Sequence, residues 1–189
     1  MPRTTVIFID GEYLRKIYKN SGLAPDIPVL IRKILKKLGI EERELLRVYY
    51  YSSPPYCSST PTPKEKERYK KWQRFINFLE KQNSLEIKLG RVEKRYWDGN
   101  IGYEQKMVDV LLSIDLVQLS AKSLIDTAIL VAGDSDFVPA VQQAKNNGVK
   151  IYLFCSSKRH EYHQHLWKIA DQRVFIDETF MKETCLGKR

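Results

Sequence analysis

Short apolar runs rich in β-branched or aromatic residues, separated by segments of helical periodicity, constrain this chain more than any other feature. Residues 5–10 (TVIFID), 45–51 (LLRVYYY), 126–132 (DTAILVA) and 149–154 (VKIYLF) have strand length. A run that is apolar at nearly every position has both faces covered, the condition of a strand inside a parallel sheet. Residues 12–20, a segment opened by Pro28 and ending near Gly39, and 64–82, 103–120, 135–147 and 160–170 read as helices. Residues 85–97 read as one strand, turned at Asp98-Gly99-Asn100; 173–176 read as a last strand and 178–185 as a terminal helix. This alternation predicts βαβ units and a three-layer α/β/α domain around a mainly parallel sheet. With no internal repeat in view, 1–189 is expected to be one domain. Within it, 53–63 holds four of the eight prolines and reads as an exposed Pro/Ser-rich loop, and 178–189 as a C-terminal helix and tail.

At 189 residues the chain can bury one good core. No apolar run is long enough to span a bilayer, and Met-Pro-Arg-Thr-Thr lacks the apolar core of a signal peptide. A cytoplasmic protein without a membrane partner is expected. Cys57, Cys155 and Cys185 are odd in number and far apart, which argues for free thiols over a disulfide or a Cys-based zinc site. The net charge of +9 makes a polyanion a fitting partner. The oligomeric state is not set by the sequence, and a homodimer is admitted.

In open parallel sheets, ligands bind beyond the carboxyl ends of the strands, near the switch in strand order. Two core strands end in acids at that edge: one at Asp10, followed by Gly11 for a tight turn, the other at Gly133-Asp134-Ser135-Asp136. A carboxylate beside apolar strand residues is unfavourable unless a cation or hydrogen bonds compensate it. Helix capping would account for one of these acids. Three exceed that need.

Asp109 adds a fourth. At about 100° per residue, Gln105, Lys106, Asp109 and Ser113 share one face of the 103–120 helix, which is otherwise nearly apolar all round. A lone carboxylate there points into a polar cavity or pairs with a cation, and Lys106, one turn earlier, is the bland partner. Asp115 lies about 120° round from Asp109 and is a secondary candidate. Converging carboxylates repel one another, and Mg²⁺ or Mn²⁺ relieves that repulsion through hard oxygen ligands. Such an ion activates water and neutralises phosphate oxygens. His160, His163 and His165 miss the i,i+4 spacing favoured by zinc sites and read as a solvated helix face or a weak phosphate contact.

Basic and aromatic residues interleave at 64–75 and 91–97, a pattern RNA uses for phosphate contact and base stacking. Tyr69, Trp72 and Phe75 also fit the buried stripe of an amphipathic helix. Lys64, Arg68, Lys71, Arg95, Lys158 and Arg159 are the candidate RNA contacts.

FIDGEYL (8–14), KMVDVLLSIDL (106–116), DTAILVAGDSDFVPAV (126–141) and LWKIADQRVFID (166–177) stand in the order and character of one family. The chain resembles the NYN domains, in the LabA-like branch of the PIN-like nucleases, over almost its whole length. The resemblance implies a Rossmann-like PIN sheet and a metal-dependent ribonuclease. It implies further that Asp10, Asp109, Asp134 and Asp136 match the acidic metal-binding and catalytic positions, with Ser135 among them and Glu12 in support. RNA is the implied substrate, with single-stranded DNA still open. The family's first motif is Asp-Gly-x-Asn; here Tyr13 stands in the Asn place, so an orienting amide is lost.

Two rivals remain. A phosphatase of the haloacid dehalogenase type would need an acid/base Asp two residues after its nucleophile, where Glu12 stands, and leaves Asp109 without a role. The alternative favoured by Tyr13 is a catalytically weak or inactive PIN-like module that binds RNA or a protein.

Overall fold

Strand β1 (Thr5–Asp10) is buried along its whole length, with Val6 and Phe8 facing one hydrophobic core and Ile7 and Ile9 the other. The structure, a computed structural model, describes residues 4–97 and 100–187, with backbone alone at 96, 97, 100, 101 and 105. β1 leads into α1 (Gly11–Asn20), then α2 (Ile27–Leu38), β2 (Leu45–Ser52), α3 (Pro63–Leu79) and β3 (Leu85–Leu89). After a hairpin, β4 (Arg91–Trp97) and β5 (Asn100–Lys106), come α4 (Val108–Ala121), β6 (Thr127–Val131), α5 (Val138–Asn146) and β7 (Lys150–Ser156). The chain closes with α6 (Gln164–Ile169), β8 (Gln172–Ile176) and α7 (Glu178–Glu183).

The central sheet has six parallel strands in the order β3-β2-β1-β6-β7-β8. One core carries α1, α2, α7 and the end of α3; the other carries α4, α5 and α6. This is the expected three-layer arrangement. The chain builds outward from β1 to β3, then returns to lay β6 on the other edge of β1, so the switch in strand order falls between β1 and β6. Their register, Ile9 beside Val131, brings Asp10 and the 133–136 turn to one edge. Helix ends follow sequence chemistry. Asp26 caps α2, whose left-handed Gly39 closes it, and a Thr62–Glu65 capping box with Pro63 in the first turn opens α3.

Several expectations change. The single strand over 85–97 breaks at Gly90, where a Cβ would stand 2.4 Å from the Lys106 carbonyl oxygen. That close approach lets the chain leave the sheet and form the β4–β5 hairpin. Of the turn expected at Asp98-Gly99-Asn100, residues 98 and 99 lie outside the described residues. The 103–120 helix begins only at Val108, because 103–106 pairs in the hairpin and Met107, at φ 75°, makes the corner. α4 is not buried all round: Val108, Leu112 and Leu116 face the core, while Val110 and Ile114 are 58% and 54% exposed. The 160–170 helix is a short turn over 159–161 followed by α6, and the loop after β2 starts from a buried Ser53.

The C-terminal tail is docked. Thr184 is fully buried; its Oγ1 meets Tyr18 Oη at 2.5 Å and donates to the Phe180 carbonyl at 2.6 Å. Pro25 pairs with Cys185, and Leu186 N donates to the Ala24 carbonyl. Thr184→Val removes both side-chain hydrogen bonds at nearly constant volume and strands the buried Tyr18 hydroxyl. It is expected to lower stability by about 1–3 kcal/mol at unchanged m-value in urea unfolding.

Candidate functional site

Asp10 ends β1 and caps α1: its Oδ1 accepts from Glu12 N (3.1 Å) and Tyr13 N (3.0 Å). Only 7% of it is exposed. Burial raises its pKa from 3.8 to about 7; the two backbone N–H groups pull it down and the charge of Asp109 pushes it up further. Capping occupies one oxygen and leaves the second for another partner.

Across the switch point, Asp134 follows the buried Gly133. Its Oδ1 accepts from Asp136 N (3.1 Å) and Ser135 Oγ (3.4 Å), capping the short turn Ser135–Phe137 that leads into α5. The capping reading is therefore correct for Asp134 and, again, uses one oxygen. Asp109 stands in the first turn of α4. It is exposed by surface, yet enough protein surrounds it that burial, then the charges of Asp134 and Asp136, raise its pKa.

Asp10, Glu12, Asp109 and Asp134 line one open pocket of about 440 Å³, with Lys16, His160 and His163 on its wall. Asp136 and Ser135 lie beside the pocket, outside its lining. Among the described residues no three His, Cys, Asp or Glu side chains converge tightly enough to grip one ion directly. The donors lining the pocket are mostly carboxylate oxygens, the hard kind of ligand that Mg²⁺ takes while keeping several of its own waters. The residues fit such a cation.

Two supporting candidates stand elsewhere. Lys106 is in β5 rather than in a helix with Asp109, and it pairs with Glu104. Asp115 accepts from the Tyr51 hydroxyl at 2.8 Å and lies 4.0 Å from Lys88, away from the pocket. Among the basic candidates, Arg95 is on the hairpin face with Glu93 and Glu104 and pairs with both. Lys158 and Arg159 sit in the loop that supplies His160, Arg159 lying 5.2 Å over the Tyr162 ring. Lys64, Arg68 and Lys71 line two neighbouring clefts beside α3.

Tyr13 takes a structural place. Its ring lies over Gly133, where a Cβ would be 2.2 Å from a ring carbon, and its hydroxyl accepts from Ser156 N at 2.9 Å. Glu161 ties the neighbouring loop down by accepting from Ser156 Oγ and from Asn20 Nδ2, and His163 N donates to the Gly133 carbonyl at 2.7 Å. These bonds bring His160 and His163 to the pocket. Sequence spacing left them as a solvated helix face or a weak phosphate contact, because it read 160–170 as one helix, whereas His163 is the cap of α6. Lys16 escaped notice for a similar reason: it is one of several lysines on an exposed helix face.

A family model described as NYN domain matches residues 4–177. Among curated proteins, an uncharacterized protein of Methanocaldococcus jannaschii is 34% identical over 85 residues, covering 43% of this chain and 35% of the relative. An uncharacterized protein of Sinorhizobium fredii is 40% identical over 50 residues, covering 26% of this chain and 23% of the relative. The matched stretch is thus about a third or less of either relative's length.

The Tyr13–Gly133 contact is testable by stability. Gly133→Ala is expected to cost about 1–3 kcal/mol by overpacking. The cost should shrink in a Tyr13→Ala background, giving a coupling energy in a double-mutant cycle of urea unfolding. Strict additivity of the two changes would contradict the contact.

Proposed function

As the chain belongs to the NYN domain family, whose members are typically ribonucleases, we propose that it is a metal-dependent ribonuclease that hydrolyses RNA phosphodiester bonds with Mg²⁺ or Mn²⁺. The observation that carries this reading is a nearly buried carboxylate, Asp10, opening into the same pocket as Asp109 and Asp134 at the switch in strand order. Burial first, and the charge of Asp109 after it, disfavour the bare Asp10 anion and raise its pKa.

In this reading Asp10, Asp109, Asp134 and Asp136 hold the cation. When bound, it supplies Lewis-acid polarisation of a phosphate oxygen and makes water more acidic. The backbone N–H groups of Glu12 and Tyr13 fix the Asp10 carboxylate through Oδ1 and leave its second oxygen to the cation. Ser135 steadies Asp134 from the side, and Glu12, braced by Arg15, adds negative charge at the mouth. In this reading Lys16, His160 and His163, which line the pocket, hold the RNA backbone, helped by Lys158 and Arg159 from the loop that carries His160. Residues 1–189 act as one domain of LabA-like character, in the cytoplasm; no helix among the described residues is long and apolar enough to cross a membrane. Single-stranded DNA is a second candidate substrate, and a homodimer a candidate assembly.

One observation favours the alternative, a weakly active PIN-like binding module. Tyr13 is committed to Gly133 and Ser156 and offers the pocket no amide. Cleavage assays separate the two. With Mn²⁺ or Mg²⁺, wild type is expected to cleave single-stranded RNA, Asp10→Asn and Asp134→Asn to lose activity by orders of magnitude, and EDTA to abolish it. RNA binding without cleavage in any metal would instead support the module.

Stability gives an independent readout. Because Asp10 titrates near 7 in the fold and near 3.8 when unfolded, the native state holds a proton that the unfolded chain has released. Between those values stability falls as pH rises. In EDTA at about pH 8, Asp10→Asn, which lacks this penalty, is therefore expected to be more stable than wild type by about 1–4 kcal/mol, the two converging below about pH 4. Mn²⁺ should raise the wild-type melting temperature and leave Asp10→Asn nearly unmoved. A metal response equal in both proteins would remove Asp10 from the site.

A further inference from the structure

Beside the carboxylate pocket lies a second cleft, of about 720 Å³, and Glu12 borders both. The cleft runs between α1, α3, the loop after β2 and the β4–β5 hairpin, and opens outward into a third, which shares Tyr56, Arg68, Lys71 and Tyr103 with it. Shared lining residues set the three side by side, as a track running from Asp10 and Asp134 toward the start of α3.

Its walls combine positive charge with an aromatic platform. α3 carries six Lys or Arg against two Glu; Lys64 lines the track, as does Lys71, which pairs with Glu67 at 2.7 Å, and both glutamates border the same cleft. On the facing hairpin, Val92, Lys94 and Tyr103 share the side that looks into it, since Lys94 is paired with Tyr103 in the ladder. Tyr103 is 52% exposed and lies against Tyr56, with ring centroids 4.7 Å apart and planes 35° from parallel. Tyr56 is held in place. Arg68 donates to its carbonyl at 2.7 Å, and Ser58 and Thr62 both donate to Glu65, anchoring the loop to the start of α3. A long proline-rich loop is thus ordered around one exposed ring, an arrangement that core packing does not require. Arg68, a candidate RNA contact from sequence, lines the track as well as positioning Tyr56.

We propose that this track binds the single-stranded stretch of RNA flanking the cleavage site, with a base stacked on Tyr103 and phosphates against Lys64 and Lys71. The proposal rests on the ribonuclease reading for its substrate and adds selectivity for unpaired RNA. A base reaches an aromatic face only when it is free of its neighbours in a helix, so a duplex cannot use the platform. Lysines on one wall follow the backbone without reading sequence.

Binding without turnover tests it: the full chain carrying Asp134→Asn, in EDTA, titrated into fluorescent single-stranded RNA and into a blunt RNA duplex by anisotropy. Adding Tyr103→Ala is expected to weaken single-strand binding about tenfold, with duplex binding unchanged, while Tyr103→Phe, which keeps the ring, stays within about twofold. Lys64→Ala should lower affinity for any single strand and reduce the salt slope by about one. Single-strand affinity that is untouched by Tyr103→Ala, or a duplex that loses as much, overturns the proposal. If Tyr103 governs single-strand binding yet the wild-type chain cleaves nothing with Mn²⁺, the track stands and the hydrolytic reading falls.

Discussion

The hydrogen-bond ladder between β1 and β6 governs how near Asp10 stands to the 133–136 turn. Like charges free to move would separate, and here they cannot, because each is fixed to the end of a buried strand or the first turn of a helix. Asp10 shows the result: burial and the charge of Asp109 hold its proton on to about pH 7. The elements around it adapt to this fixed point. Tyr13 closes over Gly133, the loop ending at His163 is bonded to the Gly133 carbonyl, and α4 delivers Asp109 from the opposite layer.

Capping and ligation need not compete for these acids. Asp10 and Asp134 each spend one oxygen on backbone N–H groups, which fixes the rotamer of the carboxylate and leaves the other oxygen available. For the proposed cation, a side chain anchored in this way would be a better ligand than a free one, since little freedom would be lost on binding. The first use prepares the second.

The strands and the acids that end them were legible because their signals are local: short apolar runs, a glycine, then a carboxylate. The hairpin was not. RVEKRYW alternates like any half-buried strand, and what breaks it from β3 is the approach of the Lys106 carbonyl to Gly90, a contact between distant segments. The same shift explains why Lys106 and Asp109, set on one helical face by spacing, part company at the left-handed Met107. His160 and His163 were discounted for lacking helical spacing, and they reach the pocket because that stretch is not one helix. The Tyr56–Tyr103 pair joins two segments whose local patterns carry no hint of each other. Tyr13 was visible as a departure from the family motif, but only the fold shows its ring resting on Gly133.

The return of the chain to β1 has a bearing on its life during synthesis. β1 is made before the other strands of its sheet, yet the strand for its second edge is β6, and Thr4 and Asp126, which join beside that pair, are 122 residues apart. The Tyr18–Thr184 contact spans 166 residues. Until those late segments are made, the nascent half-sheet presents an open apolar edge, the kind that neighbouring chains invade. Chaperone occupancy should therefore concentrate on the growing polypeptide before its sixth strand is complete, and slow translation over that interval would lengthen the exposure.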